Sequence, residues 1–81
     1  MPYIKPEARE ILSSGLVVPR SGGELNYLIT TLLTDYLLAK GVSYQTINDC
    51  LGALSGATLE FYRRVAAPYE DLKIKENGDV Y

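Results

Sequence analysis

The fold is decided by residues 21–41, which read SGGELNYLITTLLTDYLLAKG. Ser21 is followed three residues later by Glu24, a capping box in which each side chain satisfies a backbone N–H at the start of a helix. Apolar residues then recur with the 3.6-residue period of a helix that buries one face. They are Leu25, Leu28, Ile29, Leu32, Leu33, Tyr36 and Leu37. Gly41 ends the pattern because glycine tolerates the backbone conformation of a helix C-terminus. The sequence therefore predicts a helix over 21–40.

A second long helix is predicted over 43–67. Ser43 is its N-cap residue, and Pro68 is expected to end it because a proline pushes the preceding residue out of helical geometry. The apolar face consists of Ile47, Leu51, Leu54, Thr58, Phe61 and Val65, and Cys50 beside it reads as a small buried hydrophobe. Next to this face runs a stripe of small residues: Gly52, Ala53, Gly56 and Ala57. Glycine costs roughly 1 kcal/mol of helix propensity relative to alanine, so close approach of another helix is the expected compensation. We place the seam of a homo-oligomer there.

The two ends of the chain are predicted to be less regular. Residues 1–20 read as an extended arm, a short helix that begins at Pro6, and an apolar connector. In residues 68–81, alternation over 72–75 precedes Asn77-Gly78, the strongest short-range signal of a β-hairpin. A loose extended tail is the alternative. The prediction is one mainly α domain over 1–81, with two long antiparallel helices and a C-terminal hairpin or tail.

Composition points to self-association. A chain of 81 residues has a marginal core, and small domains offset this with disulfides, a metal or oligomerisation. One cysteine and no histidine leave no intrachain disulfide and no ordinary zinc site. Since 47% of the residues are apolar, we expect a homo-oligomer.

The same composition argues against catalysis and several classes of partner. Without histidine there is no Ser-His or Cys-His pair, so we expect no enzyme, and no cofactor or metal is implied. The net charge of −2 and the absence of a basic stripe argue against nucleic acid. The apolar runs are too short to cross a bilayer, and the N-terminus has no signal-peptide pattern. We expect a cytoplasmic protein.

Candidate binding residues come from the tyrosines and a pair of arginines. Seven tyrosines against one phenylalanine suit interfaces and ring stacking. Arg63 and Arg64 follow Tyr62, and paired guanidinium groups suit a phosphate or carboxylate. The alternative to a ligand site is that both arginines interact favourably with the dipole at the helix C-terminus, and that Glu60 forms a surface ion pair with Arg64. Tyr27 lies off the apolar face and suits a partner surface, whereas Tyr36 belongs to the core.

Five segments are distinctive: residues 1–4 (MPYI), 23–30 (GELNYLIT), 59–64 (LEFYRR), 67–71 (APYED) running into Lys73-Ile74, and 76–81 (ENGDVY). Together they resemble a family of short uncharacterised proteins of tailed bacteriophages and prophages. The resemblance implies a setting in an infected bacterial host, and no assigned activity.

Small phage proteins of this size include oligomeric sponges that sequester cyclic-nucleotide signals of anti-phage defence, which makes such a sponge our leading hypothesis by analogy. Its predicted ligand site lies between subunits, where arginines hold phosphates and tyrosines stack on bases. The predicted site residues are Asn26, Tyr27, Tyr62, Arg63, Arg64 and Tyr69. Two alternatives remain: a protein-interaction module for a host or phage protein, and an accessory of phage nucleotide metabolism.

Overall fold

The computed structural model describes residues 3–81, which form four α-helices and one π-helical turn. Helix α1 spans Pro6–Ser13, α2 spans Gly22–Lys40, α3 spans Tyr44–Phe61 and α4 spans Ala67–Asn77. A π turn over Tyr62–Ala66 joins α3 to α4 without a break in the helical path. Of the predicted N-terminal arm, residues 1 and 2 lie outside the described residues, and residues 3–5 have no regular structure.

Helix α2 confirms the local signals of its sequence. The Ser21 hydroxyl accepts a hydrogen bond from the backbone N–H of Glu24 at 3.1 Å, which is one half of the predicted capping box. The Glu24 carboxylate accepts from the backbone N–H of Arg20, at 2.9 Å, where the capping box predicts that of Ser21. At the other end Gly41 adopts φ 91°, and its N–H donates to the carbonyl of Leu37 at 2.9 Å. Ser43 caps α3 in the same way as Ser21 caps α2, by accepting from the N–H of Thr46 at 3.1 Å.

Helices α2 and α3 are the only two separate helices within residues 3–81 that pack against each other. Their contact includes Tyr36, whose hydroxyl donates to Asp49 at 3.0 Å, and Cys50, whose thiol lies 3.7 Å from the carbonyl oxygen of Leu33. These pairs join the end of α2 to the beginning of α3, as in an antiparallel helical hairpin. The prediction for Tyr36 was wrong in one respect: 40% of this side chain stays exposed, so it borders the contact and is not core.

The predicted end of the long helix at Pro68 was wrong. The α-helical part ends earlier, at Phe61, and the helical path continues through the π turn and α4 to Asn77. Pro68 lies in the first turn of α4, where its missing N–H and fixed φ are tolerated. The preceding turn is widened, because the N–H of Ala67 donates to the carbonyl of Tyr62 five residues back.

The predicted C-terminal hairpin was also wrong. Residues 72–77 belong to α4, and residues 78–81 have no regular structure, so no strand is present among residues 3–81. Gly78 adopts φ 86° and donates its N–H to the carbonyl of Ile74 at 2.8 Å. The Asn-Gly pair therefore ends a helix, because glycine adopts a positive φ at the residue after a helix as readily as in a hairpin turn. An ion pair of 3.1 Å between Lys73 and Glu76 lies on the helix surface.

One copy of the chain encloses very little apolar material. Among residues 3–81 no hydrophobic side chain is fully buried, and the single buried residue is Thr46, at 5% exposure. The radius of gyration is 16.3 Å, whereas a compact chain of this length has about 12 Å. Helices α1 and α4 extend from the α2–α3 hairpin, and in the described part of the chain neither packs on a separate helix.

Candidate functional site

The π turn contains three of the six predicted ligand residues: Tyr62, Arg63 and Arg64. A π-helical turn inside a longer helix is rare, and it occurs often at functional sites. It changes the angular spacing of the side chains that precede Pro68. The two arginines are therefore presented from a distorted turn and not from a regular helical surface.

Arg63 forms an ion pair with Glu60 of the same chain. Its guanidinium lies 3.3 Å from the Glu60 carboxylate, and the Tyr3 hydroxyl donates a hydrogen bond to the same carboxylate. The hydrogen bond from Tyr3, followed by the hydrogen bond and charge of Arg63 and the charge of Arg64, lowers the pKa of Glu60. The predicted surface pair of Glu60 with Arg64 was wrong, because the structure pairs Glu60 with Arg63.

Arg64 forms no ion pair with a carboxylate of residues 3–81. It lies close enough to Glu60 for its charge to act on that carboxyl group. Of the two arginines, Arg64 is therefore the one whose guanidinium forms no ion pair in the described part of the chain.

The two tyrosines near the arginines differ in their surroundings. The Glu70 carboxylate beside the Tyr62 hydroxyl raises the pKa of that phenol. Tyr69, in the first turn of α4, has the Lys73 ammonium 5.5 Å from its ring centroid, within the range of a cation–π contact. Tyr69 also borders a shallow cavity of about 340 Å³, which reaches the C-terminal residue Tyr81.

Asn26 and Tyr27 lie in the first half of α2, apart from the π turn. The Asn26 side-chain oxygen accepts from Thr30 at 3.1 Å, and Asn26 borders a cavity with Ile29 and Leu54. Tyr27 is 69% exposed and borders a different cavity. No hydrogen bond among the described residues connects either of them to the π turn. One copy thus groups Tyr62, Arg63 and Arg64 in the π turn, has Tyr69 in the next helix beside Lys73, and does not bring Asn26 or Tyr27 to them.

The charge around the π turn is close to balanced. Arg63 and Arg64 face Glu60, and Glu70 and Asp71 lie near Tyr62. An anionic ligand would therefore compete with Glu60 for Arg63. Within the part of the chain that the structure describes, no three metal-binding side chains are grouped together.

The contact of Tyr3 with Glu60 escaped the sequence analysis, because 57 residues separate the two and no local pattern relates them. It ties the N-terminal segment to the helix end that carries the arginines. In a Tyr3→Phe variant we expect the pKa of Glu60 to rise toward its ordinary value, since the main hydrogen bond that holds it low is lost. Because the pKa of Glu60 is lower in the folded than in the unfolded chain, the contact stabilises the folded protein fully at pH values above the unfolded-state pKa. This stabilisation is lost as the pH falls through the folded-state pKa.

Carboxyl titration by NMR measures this effect. The matched control is Tyr27→Phe, which removes a hydroxyl from α2 and should leave the titration of Glu60 unchanged. If the pKa of Glu60 is the same in Tyr3→Phe as in the wild type, Tyr3 does not hold this carboxylate in solution.

Comparison with known proteins places the chain in a family without assigning it an activity. Among residues 3–81 no helix has the length and apolar character needed to cross a membrane. No curated protein and no solved structure matches the chain significantly. A family model described as a domain of unknown function (DUF6899) matches residues 1–80, and the chain therefore belongs to that family.

Proposed function

We propose that this chain is a non-enzymatic accessory protein of a tailed bacteriophage, which acts in the cytoplasm of the infected bacterium as an oligomeric sponge for a cyclic-nucleotide signal. The observation that supports the proposal is the π turn, which presents Arg63 and Arg64 next to Tyr62, with Tyr69 following in the first turn of α4. Guanidinium groups suit phosphate oxygens, and tyrosine rings suit bases. The phage setting rests on the sequence resemblance alone.

The proposed site is completed by a second copy. Asn26 and Tyr27 are exposed on α2 and face no residue of the π turn in their own chain, so a neighbouring subunit would supply them. Arg64 takes the phosphate first, because within residues 3–81 it has no ion pair to break. Arg63 follows once the ligand has displaced Glu60, whose exposed 3.3 Å pair with it is weak in water.

Replacing both arginines should abolish binding. In Arg63→Ala/Arg64→Ala we expect Kd to rise at least about 100-fold, since each charge-assisted hydrogen bond contributes roughly 1.5–3 kcal/mol. Native mass spectrometry with a panel of cyclic oligonucleotides and mononucleotides identifies the ligand, and calorimetry on the hit measures Kd. A double variant that binds the ligand as tightly as the wild type would exclude the π turn as the site.

Two controls refine that measurement. Lys40→Ala removes a cation from the last residue of α2, at the end of the helical hairpin opposite the π turn, and it should bind normally. Glu60→Gln frees Arg63 and should tighten binding. Weaker binding by Glu60→Gln would mean that the Glu60 pair positions Arg63 for the ligand.

The second candidate is a protein-interaction module for a host or phage protein, and the observation that favours it is α4. This helix packs on no separate helix of its own chain in the described residues, yet it exposes Leu72 and Ile74 together with Tyr69. Oligomers that bind no member of the nucleotide panel, and that lose a co-purifying phage or host protein on Leu72→Glu but not on Lys75→Glu, would establish this function. A small-molecule role in phage nucleotide metabolism would use the same ligand class as the sponge.

A further inference from the structure

An open apolar groove runs between α2 and α3 on one side of the helical hairpin. We call it the α2–α3 groove; it encloses about 310 Å³ and is lined by Leu32, Leu33, Tyr36, Asp49, Cys50 and Ala53. Its polar groups are satisfied, because Asp49 accepts from the Tyr36 hydroxyl at 3.0 Å and from the Gln45 amide at 2.8 Å. The groove therefore offers a partner a mainly apolar contact, and its one charged group, the Asp49 carboxylate, is hydrogen-bonded to two neutral donors.

The two walls of the groove differ in shape. On α2 the residues Leu25, Leu28, Leu32 and Tyr36, spaced by three and four, form an exposed ridge that we call the leucine ridge. On α3 the wall is low, because it carries Ala53 and its small neighbours Gly52 and Gly56. At Gly52 an added Cβ would meet no neighbouring atom of the described residues within 4 Å, so Gly52 serves no close approach within the described part of one copy.

The chain exposes more surface than a compact protein of its mass, and this excess area is as large as an obligate interface. One copy exposes 7327 Å², whereas a compact protein of 9.0 kDa exposes about 4,900 Å². The excess is roughly 2,400 Å² per copy, or about 4,800 Å² for a pair, and obligate homodimers bury about 2,000–5,000 Å² in total. A second copy of this chain accounts for the excess without any other molecule.

We propose that a second copy packs its leucine ridge into the α2–α3 groove, and that the first copy does the same in return across a two-fold axis. A ridge and a low wall side by side on one hairpin are self-complementary under such an axis, in which residue i contacts residue j and j contacts i. The small residues of α3 let the partner α2 approach closely. This inference supplies the oligomer on which the proposed function rests, and it does not depend on the identity of any ligand.

The test compares two leucines of the same helix. Leu32 on the ridge is 70% exposed in one copy and Leu38, six residues further along α2, is 71% exposed, so a monomer would tolerate glutamate equally at either position. Native mass spectrometry at matched concentration should show the wild type and Leu38→Glu as dimers or multiples of dimers. Leu32→Glu should be monomeric, with the dimer fraction lowered at least tenfold. Equal masses for the two variants would overturn the proposal.

Loss of folding in Leu32→Glu is covered by a second measurement on a folded protein. A photoreactive phenylalanine analogue is placed at position 32, and ¹⁴N and ¹⁵N copies are mixed before irradiation. Mixed-isotope cross-links from position 32 should map to residues 46–57 of the other copy. Cross-links confined to a single copy, or mapped between copies to α1 or α4, would overturn the proposed packing. Both measurements are made without ligand, so a failed dimer and a failed ligand site are distinguished.

Discussion

Dilution should unfold this protein. The described chain has no fully buried hydrophobic side chain, and its 7327 Å² of exposed surface leaves roughly 44% of the surface of the unfolded 9.0 kDa chain buried. An independently stable domain of this size buries about 60%. Because we propose that other copies supply the missing burial, we expect the helical circular dichroism signal and the chain mass to fall together as the concentration is lowered.

The melting temperature measures the same dependence quantitatively. For a dimer that unfolds to two chains, each tenfold increase in concentration stabilises the folded state by about 1.4 kcal/mol per dimer. Thermal unfolding is therefore followed over a 1,000-fold range of chain concentration. Adding an unrelated protein at constant total mass should not replace the missing copies, because crowding contributes less than about 1 kcal/mol. A melting temperature that is constant over the whole range, in a sample with a monomer mass, would contradict the expectation.

The helices that sequence could predict are those set by local hydrogen bonds. The capping box of Ser21 with Glu24 and the glycine stop at Gly41 act over three or four residues, so α2 could be delimited from the chain alone. The same reasoning identified Ser43 as the N-cap of α3.

The C-terminal part was mispredicted because its signals have two meanings. The alternation of apolar and charged residues over 72–75 fits a strand, but four residues are too few to exclude a helix that continues from α3 through the π turn. Gly78 supplies a positive φ that suits either a hairpin turn or a helix end. Pro68 likewise has two meanings, because a proline breaks a helix when it lies in the interior but is tolerated in the first turn. No short sequence pattern indicated the π turn that precedes it.

The candidate site shows the same division between local and distant contacts. Tyr62, Arg63 and Arg64 are adjacent in sequence and were therefore found together. Tyr3 was missed because its contact with Glu60 is set by the path of the N-terminal segment across the molecule. The grouping of Asn26 and Tyr27 with the arginines stays a prediction, since it requires a second copy.

Leu33→Asp should disrupt the contact between α2 and α3, the one contact between separate helices within residues 3–81. Leu33 is half-buried between α2 and α3, and it borders both the α2–α3 groove and the cavity beside Leu54. A carboxylate at this position loses the apolar contacts of leucine and is placed without a partner between two helices. We expect a loss of about 3 kcal/mol or more in the free energy of unfolding. Urea unfolding followed by circular dichroism, at one fixed chain concentration, measures it.

The adjacent residue provides the control. Thr34 is exposed on the same helix, and its hydroxyl bonds only to the carbonyl of Thr30 one turn back, at 2.9 Å. Thr34→Asp introduces the same charge into the same helix, and because threonine and aspartate have similar helix propensities it should change the free energy of unfolding by less than about 0.5 kcal/mol. Equal urea midpoints for the two variants would mean that α2 and α3 of one copy do not pack through Leu33. A low midpoint for Leu33→Asp alone would locate the stability of the protein at Leu33, which serves both the contact between α2 and α3 and the groove proposed to receive the second copy.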